Sequence, residues 1–193
     1  MKTSPTKPIV DRRLLKESPL TMDPACRLYE ECLFSRGNFA NIDLGGVSFR
    51  SCMFEDCDLS LVKLKNTGLQ AVWFRRCKLL GVQLNECRKI LLETGFEQCM
   101  LRLAAFNGLD LRNTKFTGCD LREADFSGAD LSGSSFEECD LLGAIFFRTN
   151  LESADFRSAS NYSIPPGENR LRKARFSLPG VTGLLDSFGI EID

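Results

Sequence analysis

From Phe96 to Phe156 the chain places Phe or Leu at every fifth position without a miss: Phe96, Leu101, Phe106, Leu111, Phe116, Leu121, Phe126, Leu131, Phe136, Leu141, Phe146, Leu151 and Phe156. A period of five is neither the 3.6 of a helix nor the 2 of a simple strand. It means that the chain turns a corner every five residues and points one large apolar side chain inward each time. The same period runs earlier, in another phase, from Tyr29 and Phe34 through to Leu79 and Leu84. Leu84 and Phe96 are twelve apart where the period allows ten, so two residues are inserted within 85–95. Internal repeats of this kind decide the fold before anything else is read.

A second position repeats as well. Two residues before the large apolar one sits a small residue, such as Cys57, Val62, Cys77, Ala104, Cys119, Ala124 or Cys139. One large and one small inward residue in every five describe a narrow, filled interior. Cys57 and Cys77 are twenty apart, Cys77 and Cys99 are twenty-two apart, and Cys119 and Cys139 continue at twenty. Phe34, Phe54, Phe74, Phe96, Phe116, Phe136 and Phe156 step in the same way, again by twenty-two across the insertion. Twenty residues therefore make one coil with four sides. Adjacent coils should pair like parallel strands roughly 4.8 Å apart, so about six and a half coils give a rod of about 30 Å.

This periodicity argues against a disulfide or metal reading of the nine cysteines. Seven occupy the small inward slot, where a free Cys behaves as a small hydrophobe. A zinc site wants two C-x₂₋₄-C pairs, and the sequence has no such pair of pairs. Cys26 and Cys87 fall outside the clean ladder and are the candidate reactive thiols; redox sensing through them is a remote option.

Stretches such as Cys119-Asp-Leu-Arg-Glu, Ala124-Asp-Phe-Ser-Gly, Ala129-Asp-Leu-Ser-Gly and Ala154-Asp-Phe-Arg-Ser resemble the A-[DN]-[LF]-x-x motif of pentapeptide-repeat proteins. The resemblance covers residues 26–160. It implies an all-β fold, a right-handed quadrilateral parallel β-helix of about six to seven coils. The tail, with Lys173-Ala-Arg-Phe-Ser-Leu-Pro and Leu184-Leu-Asp-Ser-Phe-Gly-Ile-Glu-Ile, is similar to that of the albicidin-resistance type, and the Qnr quinolone-resistance and microcin-immunity proteins share a comparable ending. That narrower resemblance implies a cytoplasmic homodimer that binds DNA gyrase, and often topoisomerase IV, by imitating duplex DNA.

Three segments follow: a mobile leader over 1–24 with a short cap around Leu14 and Leu15, the β-helix over 25–160 with a small loop at 85–95, and a cap and dimerisation segment over 161–193. A short helix is expected after Ser177 as N-cap, with Pro179 in its first turn. Val181, Leu184, Leu185 and Phe188 then lie on one apolar face, and Gly189 suits the position after the helix. Ile190 and Ile192 alternate like a short strand. This face either caps its own coil or forms a two-fold dimer interface, and the dimer is the favoured reading.

The chain has no histidine, which removes the commonest general base and the usual triads. It has no phosphate-binding glycine loop. With the interior filled, no catalytic residue, cofactor or metal is expected. A net charge of −1 does not suit direct nucleic-acid binding. No signal-length apolar run or membrane span is visible, so a cytoplasmic protein is expected.

The outer surface is more informative. Residues 61–109 hold eight Lys/Arg against three Asp/Glu, whereas residues 110–160 hold ten Asp/Glu against five Lys/Arg. Asp120 and Asp140 should share one side, Asp110 and Asp130 another, and Asp125 a third, with Asp155 adding to the same acidic half. Doubled in a dimer, they could present a negative stripe to a DNA-binding protein. The competing reading is that each Asp hydrogen-bonds corner backbone and keeps the rod soluble. The loop offers Glu86, Arg88, Lys89 and Glu93, and Trp73 sits in an outward slot nearby. Its basic character supports an alternative, an adaptor that binds another protein through 63–89 and has no topoisomerase role.

Overall fold

Each five-residue unit forms one side of a square coil. The computed structural model describes residues 9–10, 14–16 and 27–191, the first two pieces as backbone alone. The strands are β1 (Ile9–Val10), β2 (Leu14–Lys16), β3 (Leu28–Glu30), β4 (Leu33–Ser35), β5 (Ser48–Arg50), β6 (Met53–Glu55), β7 (Gly68–Gln70), β8 (Val72–Arg75), β9 (Thr94–Glu97), β10 (Lys115–Thr117) and β11 (Ser135–Glu137). Two parallel sheets run along the rod, one in the order β1-β3-β5-β7 and one in the order β11-β10-β9-β8-β6-β4-β2. The first side carries Tyr29, Phe49 and Leu69 in register, and the second carries Phe34, Phe54, Phe74, Phe96, Phe116 and Phe136. The third and fourth sides are tied by single bridges such as Asp120↔Asp140 and Ala105↔Asp125. The result is the expected right-handed parallel β-helix, with about six coils.

The core is the inward lattice that the period of five describes. Rings on the second side stack face to face at 4.6 Å for Phe34–Phe54, 5.2 Å for Phe96–Phe116 and 5.1 Å for Phe116–Phe136. A second column, Phe106, Phe126 and Phe146, meets the first edge-on. The small inward slot has its own rule. Cys77 Sγ donates to Phe54 O at 3.3 Å, Thr67 Oγ1 to Leu44 O at 2.9 Å and Ser134 Oγ to Leu111 O at 2.8 Å. Each reaches a carbonyl one coil back, so a buried hydroxyl is as acceptable there as a thiol. Corners need one residue per unit in the left-handed region. Among the described residues nineteen of these are not glycine, and none of the nineteen is Val, Ile or Thr, whose branched Cβ suits that region least. Leu61, for one, has φ of 54° and donates its N–H to Leu80 O at 3.0 Å, which helps hold the corner.

The two ends depart from expectation. Within the supposed mobile leader, β1 and β2 form an extra rung, with Ile9 opposite Tyr29 and Leu15 opposite Phe34. The first pair is twenty residues apart and the second nineteen, and that slip hides the rung from the period. The rest of 1–24 lies outside the described residues. At the other end the helix after Ser177 is not an α-helix but two 3-10 turns, Pro179–Leu184 and Asp186–Phe188. Ser177 still caps the first turn: its Oγ accepts Gly180 N–H at 3.2 Å and its carbonyl accepts Val181 N–H at 3.1 Å. Gly180 and Gly183 press against Tyr162, and Ile164 N–H bonds Gly183 O at 2.9 Å. Two glycines weaken an α-helix, and docking onto Tyr162 fixes the tighter turn instead. Gly189 closes it in the left-handed region, with φ of 60°.

Trp73 is outward, as expected, and lies across Gly95 of the next coil. A Cβ at Gly95 would fall 2.5 Å from the indole. Gly95→Ala should therefore displace Trp73 and cost about 1–3 kcal/mol of stability. As the only tryptophan in the sequence, Trp73 reports the change directly through a red-shifted emission.

Candidate partner-binding surface

Among the described residues Phe, Leu, Cys and Ala fill most of the interior. What the molecule offers a partner lies on the four outer sides, the coil break and the C-terminal turns.

The aspartates sit one residue before an inward Phe or Leu and point outward. Asp110 and Asp130 share the first side, Asp120 and Asp140 the third, Asp125 lies on the fourth and Asp155 on the second. Their common job is local. The Oδ1 of Asp125 accepts Ser127 N–H at 2.8 Å, and Asp130 accepts Ser132 N–H at 3.0 Å. Asp140 accepts Leu142 N–H at 3.2 Å. This is the corner-bracing role, and it holds at every one of the six positions.

Charge pairing then divides them. Where Arg follows two residues later, in the corner turn, its N–H already bonds the Asp carboxylate and its guanidinium folds back onto the same group. Arg112 donates to Asp110 at 2.6 Å, Arg122 to Asp120 at 2.5 Å and Arg157 to Asp155 at 2.7 Å. These guanidinium bonds hold all three carboxyls below the usual carboxylate range. Arg122 also reaches Asp140 at 3.6 Å. Asp125 and Asp130 have no arginine; Asp130 is held instead by Ser132 and Asn150. Among the described residues Asp125, Asp130, Glu137, Glu138 and Glu152 form no ion pair, and they are the uncompensated part of the acidic half.

At the coil break the backbone leaves the wall after a 3-10 turn, Leu84–Glu86. Glu86 is exposed, and its carbonyl accepts Asn66 N–H at 3.0 Å. Arg88 lies back along the rod, donating to Ser48 Oγ at 3.3 Å and Asn66 O at 3.1 Å. Lys89 Nζ donates to Gly108 O at 3.1 Å. Glu93 is exposed, and its N–H rejoins the wall at Leu69 O. The charged loop residues are thus partly engaged with the rod. The most projecting groups are Ile90, 77% exposed, and Leu91, 67% exposed, which the sequence reading did not single out. Their signal was two apolar residues out of register within the insertion.

The C-terminal turns leave Leu178, Val181, Phe188 and Ile190 exposed, while Leu184 and Leu185 are partly buried. Leu184 packs on the core, so the apolar face divides between its own coil and solvent. Ile192 lies outside the described residues.

Cys87 is corrected. It is buried in the small inward slot one coil after Thr67, and burial pushes its thiol up to about 12. Burial likewise pushes Cys52 up to about 11. Cys57, Cys77, Cys99, Cys119 and Cys139 form one buried column, where loss of water disfavours a thiolate on every rung. Cys26 lies outside the described residues. A Cys26→Ser variant should therefore show no labelling by a thiol reagent until it is unfolded; rapid labelling of the native protein would contradict this burial.

No group of His, Cys, Asp or Glu suited to a metal occurs among the described residues, and no helix there is long and apolar enough to cross a membrane.

Two family models match the sequence, one described as "Pentapeptide repeat region" over residues 89–164 and one as "Pentapeptide repeats (8 copies)" over residues 30–66. Together they span more than half of the chain. No curated protein matches it. Among solved structures, the chain is similar to a trypsin-treated variant of QnrB1, a plasmid-mediated fluoroquinolone resistance protein. The TM-score is 0.64 at 18% identity, covering 93% of this chain and 97% of that one. A second trypsin-treated QnrB1 variant gives 0.50 at 20% identity over the same shares. At these identities the likeness is one of fold.

Proposed function

Because this chain belongs to the pentapeptide-repeat family, we propose that it is a non-enzymatic binding protein that engages a type II topoisomerase and protects it from an inhibitor or toxin. DNA gyrase is the first candidate and topoisomerase IV the second. The observation that carries the reading is the distribution of chemistry. A rigid, filled rod keeps its charged groups outside, at a fixed coil spacing, and residues 110–160 hold five carboxylates that form no ion pair among the described residues. Regular negative charge on a rigid rod can compete for a surface built to hold duplex DNA. The likeness in fold to a fluoroquinolone resistance protein supports the same choice.

A second copy of this chain is the other partner we propose. Leu178, Val181, Phe188 and Ile190 are the apolar groups available to it, and a dimer would bring two acidic halves together. Sedimentation of the full chain measures this. A topoisomerase partner places the protein in the cytoplasm.

The test is DNA supercoiling by purified gyrase with a fluoroquinolone, albicidin or a microcin, with and without this protein. Absence of both binding and protection at micromolar protein would sink the proposal. The adaptor reading has one observation of its own: Lys63, Lys65 and Lys78 form no ion pair among the described residues. It predicts a partner selected by those lysines and indifferent to the acidic half.

A further inference from the structure

Between regular coils the first side makes three backbone hydrogen bonds. Around Leu131 these are Asp130 N–H to Leu109 O at 2.9 Å, Leu111 N–H to Asp130 O at 2.8 Å and Asn113 N–H to Ser132 O at 3.0 Å. One coil earlier the equivalent groups are Asp110 N–H, Asp110 O and Arg112 O. None of the three has a hydrogen-bond partner among the described residues. Across the break the Ala71 N–H is also without an acceptor, although Ser51, its equivalent, donates to Gln70 O at 2.9 Å.

The insertion causes this. Arg88 is still in register, its N–H bonded to Thr67 O at 2.8 Å, and Glu93 N–H returns to Leu69 O at 2.9 Å. Between them the chain lifts away, exposes Ile90 and Leu91, and never pairs with the rung at 109–113. A groove of about 540 Å³ remains, lined by Ala71, Trp73, Leu91, Leu92, Asp110 and Arg112 among others. Its charged lining, Glu93, Asp110, Arg112 and Lys115, sums to zero, so charge does not select the ligand. What is left open is backbone: one donor and two acceptors between the Asp110 bridge position and the corner turn at Arg112.

An extended peptide satisfies that pattern, because its own amides and carbonyls alternate at strand spacing. We propose that the coil break takes up an extended segment of a partner protein as an added parallel rung, with one apolar side chain against Trp73, Leu91 and Leu92. The proposal goes beyond the functional reading above and does not depend on which protein supplies the segment.

The test uses the full chain labelled with nitrogen-15 and a synthetic peptide alternating Thr with Val or Leu. Peptide should shift the Asp110 and Ala71 amide signals and slow their hydrogen exchange by about tenfold or more. The same peptide N-methylated on the edge facing Asp110 O and Arg112 O should not bind. Deleting Ile90 and Leu91 restores the ten-residue spacing, closes the edge and should abolish binding; if that variant does not fold, the N-methyl comparison decides alone. The proposal is overturned by unshifted Asp110 and Ala71 signals at millimolar peptide, or by equal binding of the N-methylated peptide. Shifts that appear with protein concentration alone would assign the edge to a second copy and overturn it too.

Discussion

Phe116→Ala should lower the unfolding free energy by about 3–5 kcal/mol, the largest loss expected from any single truncation in the rod. Phe116 is fully buried and stacks on Phe96 at 5.2 Å and on Phe136 at 5.1 Å. Its edges meet Phe106 at 5.7 Å and Phe126 at 6.0 Å. The neighbours cannot collapse into the space, because backbone bonds between coils fix the distance from rung to rung. The cavity therefore stays, and its cost adds to the lost transfer energy. In a solenoid each coil also leans only on its two neighbours, so a weak central coil weakens the whole array. Phe116→Leu should cost less, about 1.5 kcal/mol or below, since Leu fills the equivalent slot on other sides. Phe147→Ala is the internal control: the same deletion at an outward, exposed position should stay within about 0.5 kcal/mol. Denaturant unfolding followed by Trp73 emission measures all three. Similar losses for Phe116→Ala and Phe147→Ala would refute the stacked column as the main source of stability.

The contrast between those two phenylalanines shows why so much of the fold was legible. A period of five separates Phe116 from Phe147 without any structure, because one is in phase with the corners and the other is not. The step from Leu84 to Phe96 located the break by the same logic. What escaped was whatever loses phase. The rung at Ile9–Val10 and Leu14–Lys16 is offset by one residue between its two strands, so no single period contains both. The turns at Pro179–Leu184 have the apolar spacing of an α-helix, but Gly180 and Gly183 are shaped by Tyr162, a contact the sequence does not announce. Cys87 escapes the cysteine series because it falls within 85–95, where the two inserted residues hide the phase; it sits in the small inward slot one coil after Thr67. The charge of the surface was half legible. Asp110-Leu-Arg112, Asp120-Leu-Arg122 and Asp155-Phe-Arg157 carry their neutralising partner two residues on, a local signal that simple charge counting passes over.

That division of the aspartates sets the second large effect, on function. If the acidic surface is what a topoisomerase recognises, changing Asp125 and Asp130 to Asn should reduce protection of gyrase by about tenfold or more, as charge complementarity lost at an interface does. Asn is the right replacement. Asn38 Oδ1 accepts Ala40 N–H at 3.0 Å and Asn150 Oδ1 accepts Glu152 N–H at 3.2 Å, so an amide already braces corners of this rod. The substitutions should therefore leave the fold and its unfolding midpoint unchanged while removing two charges. Asp120 and Asp155 changed to Asn remove the same two charges from carboxylates already bound by Arg122 and Arg157. A local field predicts a clearly smaller loss for this pair, whereas bulk charge predicts an equal one. The fourfold change of Asp110, Asp120, Asp130 and Asp140 then sets the ceiling. Full protection by the fourfold variant, with its fold intact, would mean that the acidic lattice only braces corners and that the partner is held elsewhere on the rod.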